Sequence, residues 1–105
     1  MHKRLKPSGN GWVLYFSKPM LQLLGYNPKE TNLLITSDNK IIYVEPIEDL
    51  ERYKNNMVKK LQRSSNSYGL YFTQPLIEIL EINPEEDLLE IDVYGNKFTI
   101  RKLQK

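Results

Sequence analysis

The chain has 105 residues, a length that supports one hydrophobic core and is too short for two independent domains of good stability. It contains no cysteine, which excludes disulfides, thiolate nucleophiles and cysteine metal ligands, and its net charge of +2 does not by itself indicate nucleic-acid binding. No apolar run approaches the roughly 20 residues of a membrane-spanning helix, and the first residues lack a secretory signal, so we expect a cytoplasmic protein without a membrane partner.

Residue types that carry catalysis are scarce. The single histidine, His2, stands beside the N-terminus, so histidine pairs for acid/base chemistry or metal binding are excluded. No phosphate-binding glycine loop is present. The acidic run 85–87 indicates a solvated turn, because the equivalent run 29–31 is Lys-Glu-Thr. We therefore expect a protein that is not an enzyme and has no catalytic residues, metal or cofactor.

An internal repeat organises the chain. A shift of 56 positions aligns residues 3–37 with 59–93 without a gap, and fourteen of the thirty-five aligned positions are identical. After one extra residue in the second copy, Asn39-Lys40 matches Asn96-Lys97. We predict one barrel domain over residues 1–105, divided into repeat 1 (3–47), a linker helix (48–58) and repeat 2 (59–105).

Each copy is predicted to contain two hairpins separated by a short helix, a β-β-α-β-β unit. Runs rich in β-branched and aromatic residues indicate strands, and the turn residues between them indicate hairpins. In the first copy the elements are a strand at 4–6, a turn at 8–11, a strand at 12–16, a helix from Ser17 to Gly25, a break at Asn27-Pro28, and strands at 33–36 and 41–44. In the second copy they are strands at 61–63 and 68–72, a helix from Thr73 to Glu81, a break at Asn83-Pro84, and strands at 88–93 and 97–101.

The linker is predicted to be an amphipathic helix, because Leu50, Tyr53 and Met57 fall at helical spacing. The core is predicted to combine equivalent residues of both copies: Leu14, Phe16, Leu24, Leu33 and Ile35 with Leu70, Phe72, Leu80, Leu89 and Ile91. Tyr15 and Tyr71 are assigned to the core rather than to base stacking, which leaves Trp12 and Tyr68 as the exposed aromatic residues.

One such unit has little core and several open strand edges, so it must interlock with a second copy, which this chain supplies covalently. The units resemble the SpoVT/AbrB-like swapped-hairpin family, in particular its MazE-like antitoxin branch. The resemblance is carried by Gly9-Asn10-Gly11 and Ser65-Asn66-Ser67 in place of a Gly-Asn-Ser turn, followed by an aliphatic strand, a capped short helix, an Asn-Pro break and a closing hairpin. It implies a mainly β fold with short helices: a swapped-hairpin, AbrB-like β-barrel formed as an intramolecular pseudo-dimer.

In that family two intertwined chains present basic N-terminal hairpins to DNA. The resemblance therefore implies a DNA-binding transcriptional regulator that contacts double-stranded DNA through Lys6 and Asn10 in the first copy and Gln62, Arg63 and Asn66 in the second. At the place of the family's strand arginine this chain has a tyrosine in both copies. Since Pro7 is the equivalent of Arg63, the two half-sites are expected to differ.

Four further basic residues recur at the start of each copy, namely Lys3, Arg4, Lys59 and Lys60. Lysine and arginine neutralise phosphates and release counterions, so we include these residues in the predicted DNA-binding face. The alternative is that they form a solvated face that protects edge strands from aggregation.

The alternative function is an antitoxin-like protein-interaction module that neutralises a toxin partner. Antitoxins of this branch pair a DNA-binding barrel with a segment that wraps a toxin, and the linker 48–58 is the segment that would do so here. An RNA-binding or purely structural barrel also stays open, as does further self-association of the pseudo-dimers.

Overall fold

The secondary-structure elements follow the duplication of the sequence. The structure is a computed structural model that describes residues 1–64 and 66–104. The elements of the first copy are β1 (His2–Lys3), β2 (Lys6–Ser8), β3 (Gly11–Phe16), α1 (Lys18–Leu24), β4 (Asn32–Asp38) and β5 (Ile41–Ile47). Those of the second copy are β6 (Met57–Lys59), β7 (Gln62–Ser64), β8 (Ser67–Phe72), α2 (Gln74–Leu80), β9 (Leu89–Tyr94) and β10 (Lys97–Lys102). The fold is therefore mainly β with two short helices in the described part of the chain.

The strands form two antiparallel sheets, and both copies contribute to each sheet. The strand order is β1-β9-β10-β5-β4-β6 in the six-stranded sheet and β2-β3-β8-β7 in the four-stranded sheet. Each order is unchanged, apart from direction, when every strand is replaced by its equivalent in the other copy. The two copies are thus related by an approximate twofold axis.

Two pairs of equivalent residues mark the position of this axis. In the four-stranded sheet Leu14 pairs with Leu70, which is the same position 56 residues later. In the six-stranded sheet Tyr43 pairs with Thr99, which is again its own equivalent. The axis therefore passes through the centre of both sheets.

The copies exchange their first strands. Strand β1 pairs with β9 of the second copy, and β6 pairs with β4 of the first copy. The predicted single basic strand at 4–6 is wrong, because Arg4 and Leu5 separate β1 from β2 and carry the chain from one sheet to the other. Since neither sheet of the described residues closes on itself, the predicted closed barrel is not found in that form.

The repeat continues without a gap through the second hairpin of each copy. Asp38 pairs with Ile41 and Tyr94 pairs with Lys97, so both turns have two residues and the spacing of 56 is kept. The predicted extra residue in the second copy is therefore wrong. The prediction aligned the identical residues Asn39-Lys40 and Asn96-Lys97, whereas the strand register makes Asn39-Lys40 equivalent to Gly95-Asn96. Positive φ angles of 52° at Asn39 and 65° at Lys40 suit the twist of a two-residue hairpin turn.

The linker consists of consecutive turns, so the predicted linker helix over 48–58 is wrong. Asp49 caps the first of these turns by accepting a hydrogen bond from the Arg52 N–H. Met57 and Val58 belong to strand β6 instead, so the predicted apolar stripe loses one of its three residues. Leu50 remains exposed.

The two helices end in the same conformation with different residues. Helix α1 starts after Ser17 and ends at Gly25, which has a φ of 75°; helix α2 starts after Thr73 and ends at Glu81, which has a φ of 53°. Both ends agree with the sequence prediction. The left-handed conformation has little free-energy cost for glycine and is strained for glutamate.

The core lies between the two sheets and the helices. All ten predicted core residues are buried, including both equivalents of every pair. Phe98, which the sequence analysis did not assign, lies edge-on against Phe16 with ring centroids 5.3 Å apart. Leu5 and Leu61, between the first two strands of each copy, also reach the core.

Candidate nucleic-acid interface

The N-terminal hairpins form the four-stranded sheet, and each ends in a two-residue tip. Ser8 pairs with Gly11 around the tip Gly9-Asn10, where Gly9 has a φ of 58°. Ser64 pairs with Ser67 around the second tip. Asn10 and Asn66 are exposed in these tips. Ser65, part of the predicted second turn, lies outside the described residues.

The twofold axis places the tips at opposite ends of the sheet. Strands β3 and β8 run antiparallel, and the residues next to one tip pair with the far end of the other hairpin, as Trp12 does with Phe72 and Phe16 with Tyr68. The sheet therefore presents one tip at each end, on either side of its centre.

One face of this sheet points away from the core, and we call it the outer face. Cross-strand partners share a face, so the register places Lys6, Val13 and Tyr71 on it, together with Tyr15 and Gln62. Lys6 and Gln62 are exposed at equivalent positions, whereas the two tyrosines are half-buried. The Ser8 and Tyr71 hydroxyls lie 3.1 Å apart and form a hydrogen bond across the strands. This face is uncharged except for Lys6.

The assignment of the aromatic residues from sequence is reversed. Trp12 and Tyr68 are partly buried against the core, and Tyr15 and Tyr71 lie on the outer face. Arg63 pairs with Tyr68, so it shares the core-side face at the exposed edge of the sheet. Lys6 and Arg63 therefore lie on opposite edges and opposite faces, and they do not form one patch.

Lys3 and Lys59 lie at the edges of the six-stranded sheet rather than in the hairpins. Their partners Leu89 and Leu33 are core residues, so both lysines share the core-side face. The Lys3 ammonium donates a hydrogen bond of 3.0 Å to the Tyr15 carbonyl oxygen, and burial lowers its pKa from the usual value. Inward-pointing charges on edge strands hinder pairing with other chains, which gives these lysines a structural role.

Arg4 and Lys60 occupy the equivalent crossings between the sheets, and both are exposed. Arg4 borders a surface hollow that Glu86, Asp87 and Lys102 also line. The predicted basic residues are thus distributed over the hairpins, the crossings and the edges of the other sheet.

Charge is nevertheless separated between the two sheets. The strands of the four-stranded sheet contain Lys6 and Arg63 and no Asp/Glu, and the crossings that lead into it add Arg4 and Lys60. The six-stranded sheet pairs its charges on its own surface: Lys97 with Glu45 at 3.1 Å, and Arg101 with Glu90 at 3.1 Å. Among described residues, Lys6 and Lys60 make no ion pair. The hairpin sheet and its crossings therefore carry positive charge without acidic residues of their own.

The described residues contain no group of three or more His, Cys, Asp or Glu side chains placed to hold a metal ion. His2 is exposed in strand β1. No described helix has the length and apolarity needed to cross a membrane.

Comparisons with known proteins identify no relative. No family model, curated protein or solved structure matches the chain. The resemblance to the swapped-hairpin family therefore rests on the sequence of this chain alone.

Sequence reasoning missed the outer face of the hairpin sheet. The strand Trp12–Phe16 is apolar at every position, so its alternation contains no polar residue that would indicate which side is buried. The neighbouring strand of the hairpin contained a usable signal. Lys6 and Ser8 are polar and, two residues apart, share one face of that strand. Lys6 pairs with Val13, so this polar face is also the face of Val13 and Tyr15.

Proposed function

We propose that this chain is a DNA-binding transcriptional regulator of the SpoVT/AbrB-like swapped-hairpin type, in which the two copies act as an intramolecular pseudo-dimer. The observation that carries the proposal is the separation of charge: both N-terminal hairpin segments contain bases and no acids. The exchange of first strands between the copies and the twofold strand order support the fold assignment.

The dimensions of the sheet favour base reading by the tips. Four strands at a spacing of about 4.8 Å span roughly 14 Å from β2 to β7, whereas the major groove is about 12 Å wide. The flat sheet is therefore too wide to enter one groove, but a two-stranded tip fits. Asn10 and Asn66 are the tip residues with side chains that can bond base edges, and asparagine suits adenine.

The exposed basic residues around the hairpins are assigned to the DNA backbone, and Gln62 makes the two half-sites unequal. Lys6, Lys60 and Arg63 are exposed around the hairpins, and we assign them to phosphates. Gln62 stands where the first copy has Lys6, so one half-site has a neutral donor and the other a cation. The proposed DNA site is accordingly an imperfect palindrome.

A salt titration with random-sequence duplex DNA tests the proposal. If Lys6 contacts one phosphate, Lys6→Ala should flatten the slope of log K against log salt by about 0.9. The matched control is Lys29→Ala, which removes the same charge from an exposed turn outside the hairpins. Equal changes for both variants would show that the attraction is diffuse, and no binding at low salt would overturn the proposal.

Selection of duplexes from a random pool tests the role of the tips. Asn10→Ala and Asn66→Ala should reduce discrimination between selected and random DNA more than the affinity for random DNA. Each variant should affect one half of the selected site. Stronger binding to single-stranded DNA or RNA than to duplex would instead favour base stacking on the outer-face tyrosines.

A second candidate function is the antitoxin-like interaction module. An open groove of about 600 Å³ crosses the outer side of the six-stranded sheet, where Tyr43 and Tyr94 are 40% and 64% exposed. Exposed aromatic residues are enriched at protein interfaces. A stable complex with the product of a neighbouring toxin-like reading frame, lost on Tyr43→Ala/Tyr94→Ala substitution, would support this function.

A further inference from the structure

A second groove lies between helix α1 and the tip of the second hairpin. Its volume is about 460 Å³, within the range of about 300–1,000 Å³ that is typical of small-molecule sites. The core residues Phe16, Leu21 and Tyr26 contribute its apolar floor, and half-buried Tyr68 lines its wall. The groove can therefore receive a flat apolar group.

The charge of this groove is positive. Lys18 lines it, and none of the described lining residues has a carboxylate. Within the described residues the Lys18 ammonium makes no ion pair, so it is available to a ligand. The amides of Gln22 and Asn66 add uncharged hydrogen-bonding groups.

The second copy provides an internal comparison, because its equivalent positions lack the lysine and carry two glutamates instead. Lys18 corresponds to neutral Gln74, Gln22 corresponds to Glu78, and Gly25 corresponds to Glu81. The wall residue Tyr68 corresponds to the larger Trp12, and both pack against the core. An anion that is attracted to the first copy would meet the Glu78 carboxylate and the ion pair of Lys40 with Glu81 in the second.

We propose that the groove beside α1 binds a small aromatic carboxylate, with its ring on the apolar floor and its carboxylate directed to Lys18. The rings of the floor and wall define the apolar part of the ligand, and the unpaired cation in a groove without acids defines its charge. This site does not depend on the proposed DNA-binding function.

Titration of the full chain with 1-naphthoate, followed by amide NMR shifts, tests this site. Shifts are expected at residues 16–28 and 66–68, with little change at the equivalent residues 72–84 and 10–12. Uncharged 1-naphthalenemethanol should bind several-fold more weakly, because it lacks the interaction with an exposed ammonium. Similar shifts in both copies, or equal affinity for the two probes, would overturn the proposal.

Variants that transfer the charges of the second copy provide the second test. Lys18→Gln/Gln22→Glu should weaken 1-naphthoate binding about tenfold, since each charge change at an exposed position alters affinity a few-fold. Glu78→Gln, at the equivalent of Gln22, is the matched control and should leave the affinity for the first groove unchanged. All three positions are exposed, and the amide spectrum reports whether each variant is folded. Unaltered affinity in the double variant would contradict the site.

Discussion

Copy 1 and copy 2 meet at Leu14 and Leu70, where they are identical, and they differ one residue earlier, where copy 1 has Val13 and copy 2 has Gly69. Val13 is fully buried, and a Cβ added at Gly69 would overlap its Cγ2 methyl group and lie 3.2 Å from the Leu14 carbonyl oxygen. A homodimer would place the same residue at both positions. The fused chain can instead fill this space from one side.

The helices show the same kind of difference at the capping residue that precedes each of them. Ser17 accepts a hydrogen bond from the Met20 N–H at 3.3 Å, whereas the Thr73 side chain makes no capping hydrogen bond. The backbone repeats closely, but the interactions that stabilise it do not. Equivalent positions therefore fall into two groups, those with matched environments and those with complementary or unequal ones.

The largest effects are expected where the environments match. Leu24 and Leu80 are 2% and 1% exposed, so Leu24→Ala and Leu80→Ala should each lower the free energy of unfolding by about 2–5 kcal/mol. The two costs should be similar because each side chain enters the shared core from an equivalent helix. Urea unfolding of both variants measures them, and a loss below about 1 kcal/mol for either one would contradict the equivalence.

An intermediate effect is expected where the copies are complementary. Gly69→Val should destabilise the protein by about 1–3 kcal/mol, because the new side chain overpacks the space that Val13 fills. Val13→Gly should also destabilise it, by loss of buried apolar area and by greater backbone freedom.

The double exchange Val13→Gly/Gly69→Val distinguishes complementarity from two independent losses. The exchange moves the single valine across the twofold axis. The double variant should therefore lose less free energy of unfolding than the two single variants together, with a coupling energy of about 0.5–3 kcal/mol. Unfolding curves for the four proteins provide this cycle. Additive losses would show that the two positions do not share one space.

Much of the architecture was predictable because the repeat fixes it twice. Leucine and proline identities at a spacing of 56 located both helices and the paired core, and all ten assigned core residues are buried. The sequence predicted that the two units interlock, but it did not predict which strands of one copy pair with which strands of the other. Which strand lies beside which depends on long-range packing that no local pattern contains.

The candidate interface was less predictable. Lys3 was assigned to a DNA-binding face as a charged residue, but its position on an edge strand turns it toward the core side, where it bonds the Tyr15 carbonyl. The linker has helical spacing of its apolar residues, yet Met57 belongs to strand β6 and Leu50 is exposed, so no apolar stripe packs a helix against the core. In both places tertiary context decided the outcome against the local pattern.

The smallest expected effect concerns the helix caps, and it asks whether unequal hydrogen bonds at equivalent positions have unequal energies. Ser17→Ala removes the acceptor for the Met20 N–H and should cost about 0.5–1 kcal/mol, the lower part of the range for capping residues, because Ser17 is exposed and water can replace the bond. Thr73→Ala removes the equivalent hydroxyl, which caps nothing, and should change stability by a few tenths of a kcal/mol at most. Both helices have seven residues and a proline in the first turn, so the two variants are matched in length and context. Urea unfolding with a shared m-value is the measurement. Equal losses at the two positions would mean that the difference in capping does not affect stability, and that the comparison between the copies holds for packing alone.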